Sequence, residues 1–288
     1  MGRSIAIVVA CALGAAGLAA PLAASAKAAA VAAYRAPRGP DKVHPDLNGV
    51  WQALTPANWN IEAHAAQSAW ALRPGPLGPV PAKSVVALGA AGSVPPTPGI
   101  VVGGTIPYKP EALKTRDDNR AHAIERDPEV KCYLPGVPRA TYMPYPFEIF
   151  QSDKSMLIDY EYDGAVRNIL FKDPGPAPVD AWMGQSVAHW EGDTLVVKVT
   201  GLLDQSWLDR SGNFHSDQMT VVERYTPTSP YTMKYEAEIT DPETYTRPWK
   251  IALTLYKSAG PDVQLGQFKC VEFVEELMYG DLRREPLK

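Results

Sequence analysis

The chain has 288 residues with a formal net charge of −4, 45% hydrophobic and 21% charged residues, and 28 prolines. No run of like charge stands out, which excludes electrostatic capture of nucleic acid or of an anionic membrane surface. Proline at about twice its usual share argues against long helices and against a parallel sheet.

Arg3 stands near the start, an apolar run interrupted by glycines follows from Ser4 to Ala20, and Pro21 precedes Ala24-Ser25-Ala26. That order is the pattern of a cleavable export signal over residues 1–26, so the mature protein is expected in the periplasm or secreted. The run falls short of the roughly 20 residues a spanning helix needs. Once it is removed, Cys132 and Cys270 are the cysteines left, and in an oxidising compartment they are expected to form one disulfide. There is no Cys-x-x-Cys, phosphate loop, dinucleotide fingerprint or haem-attachment motif. Neither a metal nor a nucleotide cofactor is therefore expected.

Residues 27–45, rich in alanine and proline and without period, read as a flexible linker. The folded part is expected to start at Asp46-Leu47-Asn48-Gly49-Val50-Trp51, which opens an irregular segment over 46–144 packing on the domain that follows. Within it, 60–72 reads as a short helix capped by Asn60, with Ile61, Ala65 and Ala69 on one side. Residues 74–98 read as a long Pro-, Gly- and Ala-rich loop, and 110–126 as an exposed helix. From Tyr145 onward the texture changes to short alternating runs over 146–151, 155–162, 165–172, 185–191, 194–201, 217–226, 232–240, 248–257 and 263–272. The fold expected over 145–288 is thus mainly β, an antiparallel up-and-down barrel with a C-terminal tail. Such a barrel has room inside for side chains or one small ligand.

Gly192-Asp193 and Asp163-Gly164 supply the φ > 0 positions of tight hairpin turns. Around the first, antiparallel pairing sets Glu191 opposite Thr194, Trp190 opposite Leu195 and His189 opposite Val196. Ser186, Ala188, Trp190, Leu195, Val197 and Val199 then share the buried face, while Val187, His189, Glu191, Thr194, Val196 and Lys198 share the outer one. Around the second turn, Tyr162 is set against Ala165, Tyr160 against Arg167 and Ile158 against Ile169. Arg167 falls on an apolar face with Met156, Ile158 and Phe171, where a guanidinium is costly unless compensated. An internal acid such as Glu223 would make it structural, whereas a bound anionic or carbonyl group would make it functional.

Cys132-Tyr133-Leu134-Pro135-Gly136-Val137-Pro138-Arg139, Trp182-Met183-Gly184, Trp190-Glu191-Gly192-Asp193-Thr194-Leu195, Gly212-Asn213-Phe214-His215-Ser216 and Pro248-Trp249 together resemble a family of exported bacterial proteins of unassigned function. The resemblance covers most of the mature chain and implies export and a shared fold, but no activity. Gly49-Val50-Trp51 is similar to the Gly-x-Trp on the first strand of calycins, the lipocalins and their relatives, which implies a closed barrel holding a small apolar ligand. The long segment between Trp51 and the next expected strand departs from that family, and no late arginine matches the one that packs on its tryptophan.

The candidate chemistry follows from these faces. Tyr160 or Tyr162 as acid, Glu223 or His215 as base and Arg167 as electrophile would suit a cofactor-independent isomerase, lyase or hydratase. Tyr162, Trp182, Ser186, Trp190, Tyr235 and Trp249 would line a cavity for a small apolar or aromatic molecule, and equally fit a plain core. His189 and Glu191 have the look of a catalytic pair but share the outer face with Lys198 and read more readily as solvated surface. Asp209, His215 and Asp217 offer a nitrogen and oxygen set for a metal or for acid–base chemistry but read more readily as a turn with a polar rim. Ser186 lacks the Gly-x-Ser-x-Gly of a nucleophile elbow. Three readings follow: a periplasmic binding protein, an enzyme using the same cavity, or a structural or envelope-interaction module with a packed interior and no ligand.

Overall fold

The computed structural model describes residues 34–68, 72–74, 79–81, 93–260 and 262–271. The expected export signal, most of the 74–98 loop and the chain beyond 271 lie outside the described residues. Nine strands close a barrel: β1 (Gly49–Ala53), β2 (Phe147–Gln151), β3 (Met156–Tyr160), β4 (Val166–Leu170), β5 (Gln185–Glu191), β6 (Thr194–Thr200), β7 (Thr220–Ser229), β8 (Thr232–Thr240) and β9 (Trp249–Lys257). Consecutive strands are neighbours, and β1 closes the ring between β2 and β9. In a closed ring, antiparallel pairing throughout requires an even number of strands, so nine force one parallel seam. It lies between β4 and β5, which share only the pairs Ile169↔Ser186 and Leu170↔Val187. Residues 171–184 form the crossover strap that this parallel connection demands.

The barrel was expected to begin at Tyr145 and end with a strand over 263–272; its first strand is instead Gly49–Ala53. Trp51 pairs with Lys257, so the free edge of β9 is already taken and the late segment has no edge to join. Among its described residues that segment makes one β-bridge, between Phe268 and Tyr162, and otherwise meets the barrel end through side chains. Lys257 also sets its Nζ 5.5 Å from the centre of the Trp51 ring, a cation–π contact.

Residues 60–68 are not helical. Ile61 accepts from the Ile100 amide and His64 exchanges two main-chain hydrogen bonds with Thr97, so the backbone groups a helix would use are spent on 97–100. The Asn60 side chain accepts from the Glu62 amide in a local turn rather than capping a helix. The second expected helix is present as α1 (Pro110–Ala121), with proline in its first turn, and is followed by the short α2 (Ala123–Arg126) after a break at His122. A third short helix, α3 (Arg139–Tyr142), is fully buried. No helix among the described residues is long and apolar enough to cross a membrane.

The linker reading does not hold from residue 36 to 45. Arg38 bridges Pro45, Asp46 donates its amide to Pro37, and Arg38 reaches Asp193 at the β5–β6 turn. His44 stacks on Trp190 at a ring separation of 4.7 Å. One hydrophobic cluster joins barrel residues such as Phe147, Ile158, Val197 and Ile251 to Leu47, Ile61, Ile100 and Tyr142 of the N-terminal segment.

Candidate functional site

Arg167 points into the barrel and is 2% exposed, beside Glu223 at 0%. Its Nη2 lies 2.5 Å from Glu223 Oε2 and its Nη1 3.3 Å from Oε1, a fork-on-fork pair. Nη1 also donates to the Tyr160 hydroxyl at 3.1 Å, while Nη2 and Nε donate to Ser186 Oγ at 2.9 and 3.3 Å. Tyr225 and Tyr235 complete the shell, donating to Glu223 Oε1 at 2.9 and 2.8 Å. Burial works against the guanidinium's charge, yet Glu223 outweighs it and holds Arg167 well above its ordinary pKa. Burial first and the Glu223 charge second push Tyr225 and Tyr235 up, so both stay protonated donors.

This arrangement changes the reading of four candidates. The sequence offers Arg167, Tyr160 and Glu223 for catalysis and Tyr235 for ligand contact, but their polar groups are bonded to one another. Glu223 and Tyr235 have no exposed surface, and Tyr160 and Arg167 have 2% each. These polar groups already satisfy one another, and the internal-acid alternative for Arg167 describes the geometry.

The remaining candidates scatter. Tyr162 lies outside the barrel interior, stacked against Phe268 and tilted against Tyr145. Trp249 packs edge-on against Tyr245 at 5.3 Å. Trp190 caps the barrel end under His44 rather than lining a cavity. His189 is exposed and lies 3.2 Å from Glu191, which in turn binds Arg224. Asp209, His215 and Asp217 serve different partners: Asp209 holds Asn213, His215 meets Ser206, and Asp217 accepts from Gln218 at the surface. The disulfide between Cys132 and Cys270 is present.

His215 forms a pair that sequence reasoning missed. Its Nδ1 faces the Ser216 carbonyl oxygen at 2.9 Å, which can only accept, so the ring proton sits there. Nε2 is then the acceptor for the Ser206 hydroxyl at 3.0 Å. Burial lowers the His215 pKa and keeps the imidazole neutral. The pair has the composition of a nucleophile and base, but both residues are buried, and Gly136 presses on the hydroxyl so closely that an added Cβ would lie 2.6 Å from Ser206 Oγ. No spacing in the sequence joins Ser206 to His215; only the loop after β6 brings them together.

A second buried charge cluster was also invisible in the sequence. Glu129 accepts from Arg139 at 2.8 Å and from Arg210 at 2.7 and 2.8 Å, with Asn58 and Asp127 alongside. Burial opposes the Glu129 charge, but Arg210 and Arg139 hold its pKa down to about 2. The group ties the N-terminal segment, α3 and the loop after β6 together, and it is structural by its connections.

Two clefts lie outside the barrel, along the strap. On one side a cleft of about 440 Å³ follows the parallel seam, lined by Leu134, Val166, Leu170, Val179 and Trp182 with Arg167 and Ser186 contributing to its floor. Trp182 is half-buried and leans on Tyr133 at 4.7 Å. On the other side a second cleft of about 630 Å³ lies between the strap and the outer face of β5 and β6, lined by Pro176, Ala177 and Val187 together with Asp173, Asp180, His189 and Lys198. Gln185 steadies the strap by donating to the Gly175 carbonyl at 2.8 Å. The two clefts share Ala177 and Gln185 as a common wall. Of the expected ligand-binding residues, Trp182 and Ser186 meet at the seam cleft. No protein-family model, curated protein or solved structure matches this chain.

Proposed function

We propose that the protein is an exported binding protein that takes up a small, largely apolar molecule in the seam cleft, on the outside of a barrel whose interior is structural. The observation that carries this reading is the cleft itself. Its volume of about 440 Å³ falls in the range of small-molecule sites, and it combines aliphatic walls with one indole. The parallel seam supplies the opening: β4 and β5 share two register pairs only, so the strands part beside Val166 and Asn168. Export is supported by the leader pattern of residues 1–26 and by a disulfide suited to an oxidising compartment.

The packed interior favours a second reading, an envelope-interaction module without a ligand. An enzyme working inside the barrel is disfavoured, because Tyr160, Arg167 and Glu223 already satisfy one another. Native mass spectrometry of protein isolated from its own compartment separates the two supported readings. A retained small molecule, lost in Trp182→Ala without a change in melting temperature, is the expected outcome. Uniformly ligand-free protein that also fails to bind the neutral apolar probe N-phenyl-1-naphthylamine would favour the interaction module.

A further inference from the structure

We propose that the seam cleft binds a short, uncharged apolar peptide in extended form, its main chain pairing with the open edge of β4 as an added strand. The inference rests on the seam cleft being a binding site and names the class of molecule it takes.

The edge is the first argument. Main-chain groups along a strand turn alternately to its two sides. The Tyr160 amide donates to the Ala165 carbonyl, and in the same register Ile158 stands opposite Arg167 and Met156 opposite Ile169. Arg167 and Ile169 therefore turn their main-chain groups to β3, while Val166, Asn168 and Leu170 turn theirs to β5. Because β5 meets only Ile169 and Leu170, the Val166 amide and carbonyl and the Asn168 amide have no main-chain partner among the described residues. Proteins usually blunt such an edge with charge, proline, a bulge or a covering loop. Val166 and Asn168 bring neither charge nor proline, and the β3–β4 ladder runs without a shift from Met156↔Ile169 to Asp159↔Val166. The strap stands off from this edge, and the cleft is the space between them.

The walls are the second argument. Val166, Leu170 and Val179 are exposed apolar side chains, and all three line this cleft beside Leu134 and Trp182. A plain hydrocarbon would strip water from three unpaired main-chain groups without replacing its hydrogen bonds, which is costly. An extended peptide returns those bonds through its own amides and carbonyls, and its alternate side chains cover the apolar walls. Arg167, already engaged by Glu223, is the one charged residue in the lining, so a charged side chain or terminus finds no partner there.

The test is calorimetric titration of the mature protein with acetyl-Leu-Val-Leu-amide, with its analogue N-methylated at all three residues, and with N-phenyl-1-naphthylamine as a probe of the apolar walls. The parent peptide is expected to bind at least about tenfold more tightly than the analogue, which keeps the side chains and loses their amide donors. With the parent peptide bound, hydrogen exchange of the Val166 and Asn168 amides should slow at least about tenfold. Equal affinity of the two peptides, or unchanged exchange at both amides under saturating parent peptide, overturns the inference. Binding of the naphthylamine with neither peptide bound also overturns it and leaves the apolar-site reading standing. Absence of binding by all three compounds removes both readings.

Discussion

Arg167 is the residue on which structure and function part. With Glu223 opposite it and Tyr160, Ser186, Tyr225 and Tyr235 around the pair, the guanidinium holds a carboxylate that has no route to water. Arg167→Met strands that carboxylate and is expected to cost about 3–5 kcal/mol in urea unfolding, whereas the double change with Glu223→Gln should recover a large part of the loss. An unshifted melt for the single variant would mean that the pair is not formed. The other buried acids act on the pH dependence of stability in opposite senses. Burial lifts the Asp209 carboxyl to about 6 against the pull of its amide donors, so the native state binds that proton more tightly than the unfolded chain. Its contribution to stability therefore falls as pH rises through about 6, and Asp127, also raised by burial, acts in the same sense. Glu129, held down to about 2, contributes fully above the ordinary carboxylate range and is lost as pH falls below it. Burial lowers the His215 pKa, so the contribution of that group is lost as pH falls and opposes Asp209 in the same window. The Asp209 contribution is therefore read as the stability difference between the native protein and Asp209→Asn, which should fall as pH rises through about 6. A difference between native protein and Asp209→Asn that stays constant from about pH 5 to 7 would contradict the Asp209 environment.

At the scale of elements, alternation and turn residues were legible and long-range pairing was not. The β5–β6 register read from Gly192-Asp193 is the observed one, pair for pair from Glu191↔Thr194 to Val187↔Lys198. The β3–β4 register read from Asp163-Gly164 is displaced by two residues, with Ile158 rather than Tyr160 opposite Arg167. Asp163 and Gly164 do take positive φ, but Tyr160 bonds Ala165 while Glu161 turns its amide to Pro146, which takes residues out of the ladder. A shift of two preserves which face each side chain occupies, and Arg167 was correctly read as internal for that reason. Val196 departs from its expected solvated face: it is buried, flanked across the sheet by His189 and Arg224. The seam cleft could not be read at all, since it depends on β4 and β5 running parallel. Gly184 tests how the strap is set there. Its φ is +60° and an added Cβ would lie 2.7 Å from the Thr200 carbonyl oxygen, whereas Gly164, at φ +66°, would meet nothing closer than 3.4 Å. Gly164→Ala should therefore cost about 1–2 kcal/mol from backbone strain alone, and Gly184→Ala distinctly more, with weakened probe binding in the cleft. Equal costs in urea melts would show that the strap yields freely.

For the whole molecule, closure is what the sequence hid most. The sequence shows nine alternating runs from Tyr145 onward, and the ring has nine strands, yet the last run lies outside the barrel and β1 takes its place. The pairing of β1 with both β2 and β9 spans most of the chain, and no local pattern encodes it. The disulfide was legible because two cysteines leave one pairing. Its place explains why the late segment stays without a strand: Cys270 is tied to Cys132, Phe268 packs on Tyr145 and Tyr162, and Lys269 reaches Asp163. The clip thus covers the barrel end instead of extending the sheet. Its loop spans 138 residues, for which chain entropy gives roughly 4–5 kcal/mol as an upper value. Because the ring is closed by β1 and β9 and not by the clip, paired Cys132→Ser and Cys270→Ser changes should lower the unfolding free energy by up to that amount while the folded barrel persists. Far-ultraviolet circular dichroism should be unchanged, and amide exchange should accelerate first around Tyr162 and Phe268. Loss of the β spectrum on reduction alone would instead assign barrel closure to the disulfide.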